Sequence, residues 1–364
     1  MQQHVKFLFV NYLFSTMAHL SSCQYIPSDI HVPGLAAIHA EHLSFSFHEN
    51  NMQFAVENSS FDIDEGKITA IIGESGSGKS TLLRLIYGLL EPTGGIVRYK
   101  GWQVPTRKDK LIPGHDAMKL VSQGFDDLNT YANVWDNVAS QLPNTDIKRK
   151  QDKTAEILQR LRIDHLAKKR VADISGGEKQ RVAICRALIN EPEVLLMDEP
   201  FNQVDASFRD TLQQDIKDIV KETGLTVILV SHDPTEVLAL ADNLIVMKSG
   251  KILDQNNPHV LYSNPSHPYT AQLLAKSNIL QVEQAQNLGI TSEKPVAIHQ
   301  EWISISPSEQ STFFVKDVRF RGFYYEIVVS NNEINLHAII TSQIIPQKLQ
   351  AVDLTISHWI HFDH

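Results

Sequence analysis

Ile68-Thr69-Ala70-Ile71-Ile72-Gly73-Glu74-Ser75-Gly76-Ser77-Gly78-Lys79-Ser80-Thr81 is the stretch on which the reading of the fold turns. Ile68–Ile72 is an unbroken apolar run of the kind that forms a strand buried on both faces. A glycine-rich turn follows, and then residues 80–90, where Leu82, Ile86 and Leu89 recur at helical spacing with Leu83 and Leu90 flanking them. Strand, loop and helix therefore succeed one another, with the helix covering a sheet and its first turn facing the loop. Outward from this point, residues 39–47 alternate as a half-buried strand, and residues 194–197 and 225–230 are short apolar runs bounded by polar turns. Helical patterns over residues 154–163 and 208–222 are interspersed. Such alternation predicts an α/β fold with a mainly parallel sheet.

The string from Gly73 to Thr81 satisfies the phosphate-loop (P-loop) pattern in the strand-then-helix context that the pattern requires. The glycines Gly73, Gly76 and Gly78 let the backbone turn tightly so that successive N–H groups, those of Ser75 and Ser77 among them, aim at phosphate oxygens, and the positive end of the helix dipole adds to them. Lys79 would reach the β- and γ-phosphates of a nucleotide, and the Ser80 hydroxyl would ligate Mg²⁺. Leu195-Leu196-Met197-Asp198-Glu199-Pro200 sets two carboxylates at the carboxy end of a buried strand, where open parallel sheets present ligand-binding groups. Read alone, such a pair caps the next helix. Read with the P-loop, it divides the work: Asp198 for the Mg²⁺ shell, Glu199 to polarise the attacking water as general base.

Asp173-Ile174-Ser175-Gly176-Gly177-Glu178-Lys179-Gln180-Arg181 is a second serine-glycine helix start, which phosphate-loop chemistry by itself does not demand. Alone it would be a cap; physically it is also an anion site made by the Ser175 hydroxyl and the Gly176 and Gly177 amides. In this order with the P-loop and the Asp-Glu strand, it resembles the signature motif of the ATP-binding cassette (ABC) ATPases. The resemblance runs from about residue 38 to 275. It implies a P-loop NTPase cassette with a mainly parallel sheet and a helical subdomain over roughly residues 120–185. It also implies ATP and Mg²⁺, with two chains sandwiching two ATP molecules.

The same resemblance assigns residues. Gln123 takes the place of the Q-loop glutamine that senses Mg²⁺ and water, and His232 that of the switch histidine beside the γ-phosphate. The catalytic set it implies is Glu199, His232, Gln123 and Lys79, with Ser80, Gln123 and Asp198 around Mg²⁺. Around ATP it implies Phe47 on the adenine, with Phe45 as second choice, Gly73 and Ser75 to Thr81 on the phosphates, and in trans Ser175, Gly176, Gly177 and the D-loop Asp205. This sequence departs from the usual pattern at Glu178, where glutamine is commoner, at Asn202-Gln203-Val204, where Ser-Ala-Leu is usual, and at Phe47, which replaces tyrosine but keeps the stacking face.

From Lys276 to Asn287 the composition turns to Gln, Asn and Glu, which reads as a helix end running into a linker. Beyond a boundary near residue 290, β-rich runs at 312–318, 324–329 and 334–340 are separated by Arg321-Gly322 and Ser330-Asn331-Asn332. A small β-barrel-like domain is expected. Residues 293–361 resemble the TOBE domain that follows the ATPase in importers of iron(III), polyamine, sugar, sulfate and molybdate type, with His299-Gln300-Glu301 where Arg-Pro-Glu is usual. Asn264-Pro265-Ser266-His267-Pro268-Tyr269-Thr270 is instead similar to a segment of peptide importers. The expected domains are an extension over 1–36, the ATPase over 37–276, a linker over 277–292 and a TOBE-like domain over 293–364. The implied partners are a second ATPase subunit, a transmembrane permease and, indirectly, an extracytoplasmic solute-binding protein. The implied place is peripheral, on the cytoplasmic face of the inner (plasma) membrane.

Composition narrows the alternatives. Among 364 residues, 33 basic and 42 acidic side chains leave a formal charge of -9, which gives no general attraction to nucleic acid. Hydrophobic residues at 42% suffice for a sizeable core. Cys23 and Cys185 cannot build a disulfide framework, which suits a reducing compartment. No run reaches the roughly 18–20 apolar residues of a membrane helix, so a membrane role calls for a partner. Residues 5–20 are largely apolar and end in Leu20-Ser21-Ser22-Cys23, which resembles a lipoprotein cleavage site. Asn11, Ser15 and His19 interrupt that run, which reads instead as a mobile extension or a start codon placed too early. His358, His361 and His364 recur by threes but read as a frayed tail and not as a metal site. The competing function is a soluble ABC ATPase acting on nucleic acid, ribosomes or protein complexes; such proteins carry a coiled-coil insertion or two cassettes in one chain, and neither is present.

Overall fold

The computed structural model describes residues 36–47, 55–111, 113–125, 127–331, 333–341 and 345–362. Leu20-Ser21-Ser22-Cys23, Asn332 and His364 lie outside the described residues. The cassette opens with β1 (Ile38–Phe45), β2 (Val56–Ile63), β3 (Ile68–Ile72), α1 (Lys79–Tyr87), β4 (Gly94–Tyr99), β5 (Trp102–Gln103) and β6 (Met118–Val121). A helical region follows, with α2 (Val134–Ala139), α3 (Ile147–Arg160) and α4 (Gly176–Leu188). The chain then returns through β7 (Val194–Asp198), α5 (Ala206–Thr223), β8 (Thr226–Ser231), α6 (Pro234–Leu240), β9 (Asn243–Lys248), β10 (Lys251–Asn256), α7 (Pro258–Ser263) and α8 (Pro268–Ala275).

Six strands form one sheet in the order β10-β9-β3-β8-β7-β6, parallel from β9 to β6, with β10 antiparallel on the edge. Period-two alternation splits its side chains between two cores. Ile68, Ala70, Ile72, Leu195, Met197, Val227 and Leu229 join one cluster, which includes Val182 and Cys185 of α4 and Leu212 and Ile216 of α5. Ile71, Leu196, Ile228 and Val230 face the other, with Leu82, Leu83 and Ile86 of α1 and the antiparallel sheet β2-β1-β4-β5. Burial on both faces is why these strands read as continuous apolar runs. The α/β cassette with a helical subdomain is thus present as expected. Helix α1 stops earlier than residues 80–90 implied, because Gly88 at φ 85° caps it in the left-handed conformation.

The C-terminal part is antiparallel and β-rich: β11 (Asn278–Leu280), α9 (Val282–Asn287), β12 (Val296–Ile298), β13 (Ile303–Pro307), β14 (Phe314–Phe320), β15 (Tyr325–Ser330), β16 (Asn335–Ile340), β17 (Val352–Ile356) and β18 (Ile360–His361). Its sheets run β11-β12-β18, β13-β17 and β14-β15-β16. Residues 277–292, which composition marks as linker, differ from that expectation. Leu280 pairs with Val296, and Leu280, Ala285 and Ile290 are buried with Val315, Ile327 and Leu336. Three apolar side chains at wide spacing anchor a polar segment that local composition alone reads as loose. His358 lies against Trp302, and His361 contacts Ser292 Oγ and Trp359 Nε1.

Candidate active site

Sheet register brings the chemistry-bearing loops together. Ile72 pairs with Ser231, Asp198 with Val230, and Val121 with Met197, so the loops after β3, β8, β7 and β6 leave one carboxyl edge side by side. They carry the P-loop, His232, Asp198-Glu199 and Gln123 respectively.

Gly73 and Gly78 are sterically committed: an added Cβ would lie 2.2 Å from the Met247 carbonyl oxygen at Gly73 and 2.1 Å from that of Ala55 at Gly78. Lys79 Nζ donates to the carbonyls of Gly73 at 2.9 Å and Glu74 at 2.8 Å, bending back along the loop. Burial draws the Lys79 ammonium below its ordinary pKa, against the opposing pull of Glu199, Asp198 and Glu74. Ser77 Oγ is buried and has no hydrogen-bond partner among the described residues. An orphaned hydroxyl, a buried ammonium and glycine amides at a helix start form a donor set that fits a phosphate chain.

Ser80 Oγ donates to Asp198 Oδ1 at 2.8 Å. Burial pushes the Asp198 carboxyl up, while the Ser80 hydroxyl and Arg84, whose Nη2 is 4.0 Å away, draw it down. Among the described residues no group of three or more His, Cys, Asp or Glu gathers as a metal cage. Two adjacent hard oxygens fit Mg²⁺ all the same, because that ion usually takes one or two protein oxygens and completes its shell with phosphate and water.

Glu199 sits at φ 51°, a left-handed conformation that is costly for a side-chain-bearing residue, with its amide donating to Val230 O at 3.1 Å. Gln123 Nε2 donates to Glu199 Oε2 at 2.8 Å, Asn202 Nδ2 donates to the same oxygen, and His232 Nδ1 lies 3.5 Å from Oε1. Gln123, Glu199 and His232 are thus brought together.

Other expected residues lie elsewhere. Ser175 caps α4: its hydroxyl accepts from Glu178 N at 3.3 Å and Glu178 Oε2 accepts from Ser175 N at 2.8 Å. Gly176 and Gly177 pack against Gln203 and Val204, and Asp205 is the exposed N-cap residue of α5. Among the described residues, no hydrogen bond or ion pair joins this signature turn to the P-loop. Phe47 is 62% exposed and meets Phe45 edge-on at 4.9 Å, while Phe45 O accepts from the amide of Ala55, the residue facing Gly78.

Two contacts escape motif reading. Tyr269 of α8 accepts from the Glu74 amide at 3.0 Å with Lys248 Nζ 4.4 Å above its ring, and Asn202 reaches Glu199. Tyr269 and Asn202 each belong to a recognisable run of residues, but such a run does not tell where its side chain goes.

The family model described as ABC transporter matches residues 56–202. The structure of cbiO1 from Clostridium perfringens, part of the ABC transporter complex cbiONQ, is similar at 30% identity and a TM-score of 0.57, over 63% of this chain and 91% of that one. The chain belongs to the ABC transporter family. The dimeric structure of MJ0796, a bacterial ABC transporter cassette, is similar to this ABC ATPase at 27% identity and a TM-score of 0.55, over 61% of this chain and 98% of that one. Membership makes the chain an ATP-binding, ATP-hydrolysing cassette subunit. Among the described residues of this ABC ATPase, no helix is long and apolar enough to cross a membrane.

Proposed function

We propose that this ABC ATPase powers an importer: two copies, or this chain and a paired ATPase subunit, enclose two ATP and drive a separate transmembrane permease from the cytoplasmic face of the membrane. The observation that carries this reading is the division of anion-binding groups within one chain. Lys79, Ser80, Asp198, Glu199, Gln123 and His232 converge at one sheet edge, while among the described residues no hydrogen bond or ion pair joins the Ser175-Gly176-Gly177 turn to that P-loop. A turn so built serves the γ-phosphate of a second copy, with Asp205 at the same seam.

In this reading the amides from Ser75 to Thr81, with Gly73 and Lys79, hold the phosphates, and Phe47 stacks on adenine. Ser80 and Asp198, with Gln123 nearby, would hold Mg²⁺, which would supply charge neutralisation for the phosphates. Glu199 accepts the proton of the water that attacks the γ-phosphorus, the bridging P–O bond breaks, and ADP departs with its electron pair. Gln123 and His232 orient the carboxylate and the terminal phosphate. A groove beside Gln123, lined by Val121, Ser122, Phe125, Leu128 and Arg186, is where a permease helix senses the nucleotide.

The TOBE-like tail over 293–364, with the cassette over 37–276, supports an importer whose cargo is of iron(III) or polyamine type, delivered by an extracytoplasmic solute-binding protein. The test is Glu199→Gln in the full chain. Turnover should fall by about 10²–10⁴-fold, the range for losing a general base, while ATP binding persists and MgATP traps a dimer on size-exclusion chromatography. Unchanged turnover overturns the catalytic assignment. Purification in mild detergent should bring a stoichiometric integral-membrane protein; ribosomal or DNA-repair proteins in its place would retain the ATPase and overturn transport.

A further inference from the structure

We infer that Asn202 is a positioning residue for Glu199, gripping one carboxylate oxygen so that the other stays free for water. The inference rests on the reading of Glu199 as general base. Three observations carry it. Glu199 Oε2 accepts from both Gln123 Nε2, at 2.8 Å, and Asn202 Nδ2, whereas among the described residues the polar contact of Oε1 is His232 Nδ1, at 3.5 Å. Two amide donors on one oxygen fix the terminal torsion of a side chain that otherwise rotates in a broad well.

The second observation is how Asn202 is aimed. Its amide donates to Glu199 O at 3.4 Å, closing a turn that folds residue 202 back over residue 199, and Val204 N donates to Phe201 O at 3.1 Å. The Phe201 side chain is 1% exposed and anchors this turn in the core. On its other flank, the Gln203 carbonyl oxygen would lie 3.2 Å from a Cβ added at Gly176. The turn is therefore wedged between the core and the signature helix.

The third is the residue type. Asn202 carries a side-chain amide with two N–H donors, and its Nδ2 reaches Glu199 Oε2 from three places further along the chain.

Steady-state hydrolysis by the full-length chain tests this with three variants. Asn202→Ala should lower kcat about tenfold, the effect of one charge-assisted hydrogen bond, with KM for ATP within about twofold of the parent. Asn202→Ser, which keeps a donor, should recover part of the loss. Asn202→Asp, which sets a second carboxylate against Glu199, should lose more than Ala. Nucleotide affinity and the thermal midpoint, measured alongside, report folding. Adding Asn202→Ala to Glu199→Gln should cost nothing further, because both act through one group. Wild-type kcat in all three variants, a rise in KM alone, or a further loss in the double variant overturns the inference. If Glu199→Gln alone keeps full turnover, it is the assignment of the base that falls.

Discussion

Gly78 shows how little latitude one residue of the P-loop has. It stands at φ 101° and an added Cβ would meet the Ala55 carbonyl oxygen at 2.1 Å, so strain and overlap act together. The left-handed backbone alone costs an L-residue about 1–2 kcal/mol. Gly78→Ala is expected to weaken ATP binding at least about tenfold, the equivalent of about 1.4 kcal/mol, in a titration with a fluorescent nucleotide, while far-UV circular dichroism stays native. Full-affinity binding would show that the loop shifts without loss. Glycines, Lys79 and Ser80 were legible in the chain because a phosphate loop is a local backbone shape written in consecutive residues. Tyr269 on the Glu74 amide was not, because 195 residues separate the partners and only folding joins them.

Between elements, the signature helix and the helix after the D-loop are tied by a buried ion pair. Arg181 Nη1 of α4 reaches Asp215 Oδ2 of α5 at 2.6 Å, with side chains 8% and 4% exposed, and Arg162 adds a second guanidinium at 3.1 Å. Arg181 also donates to Leu161 O at 3.1 Å, which fastens α4 to the end of α3. Truncating one member strands a buried charge, so Asp215→Ala should destabilise the chain by about 3–5 kcal/mol in denaturant unfolding. Replacing both Arg181 and Asp215 by apolar residues should cost less than that single change, and an equal or larger cost would contradict the desolvation argument. Helix existence was legible from apolar spacing, but its limits were not. Helix α3 begins at Ile147, seven residues before periodicity marks it, because the Asp146 carboxylate accepts from Arg149 N at 2.9 Å and starts the helix within a charged stretch. After Ile147, the polar residues 148–153 carry no apolar stripe to read.

At the scale of the whole molecule, His299 fastens the C-terminal β region to the cassette. Its ring is wholly buried, contacts Ser277 Oγ and Tyr262 O at 2.7 Å each, and stacks on Trp302 at 4.0 Å. Burial holds its pKa below the ordinary 6.5, against the Tyr262 carbonyl and Glu301. The unfolded chain therefore binds the proton first as pH falls through 6.5, and stability drops from there down to the folded pKa. The thermal midpoint should fall between pH 7.5 and 5.5, and fall less in His299→Gln; parallel curves for the two proteins would remove His299 as the cause. Residue 299 was legible only as a departure from a tail motif, since nothing nearby in the chain announces Tyr262 or Ser277. By itself the sequence determined the strand-and-helix alternation, the P-loop, the Asp198-Glu199 pair and the signature turn, because each depends on neighbours a few residues apart. Tertiary structure alone decided that Gln123, Asn202 and His232 surround one carboxylate, and that Leu280, Ala285 and Ile290 close the C-terminal core. These contacts depend on parallel register and on burial across tens of residues, and neither is encoded in any short stretch.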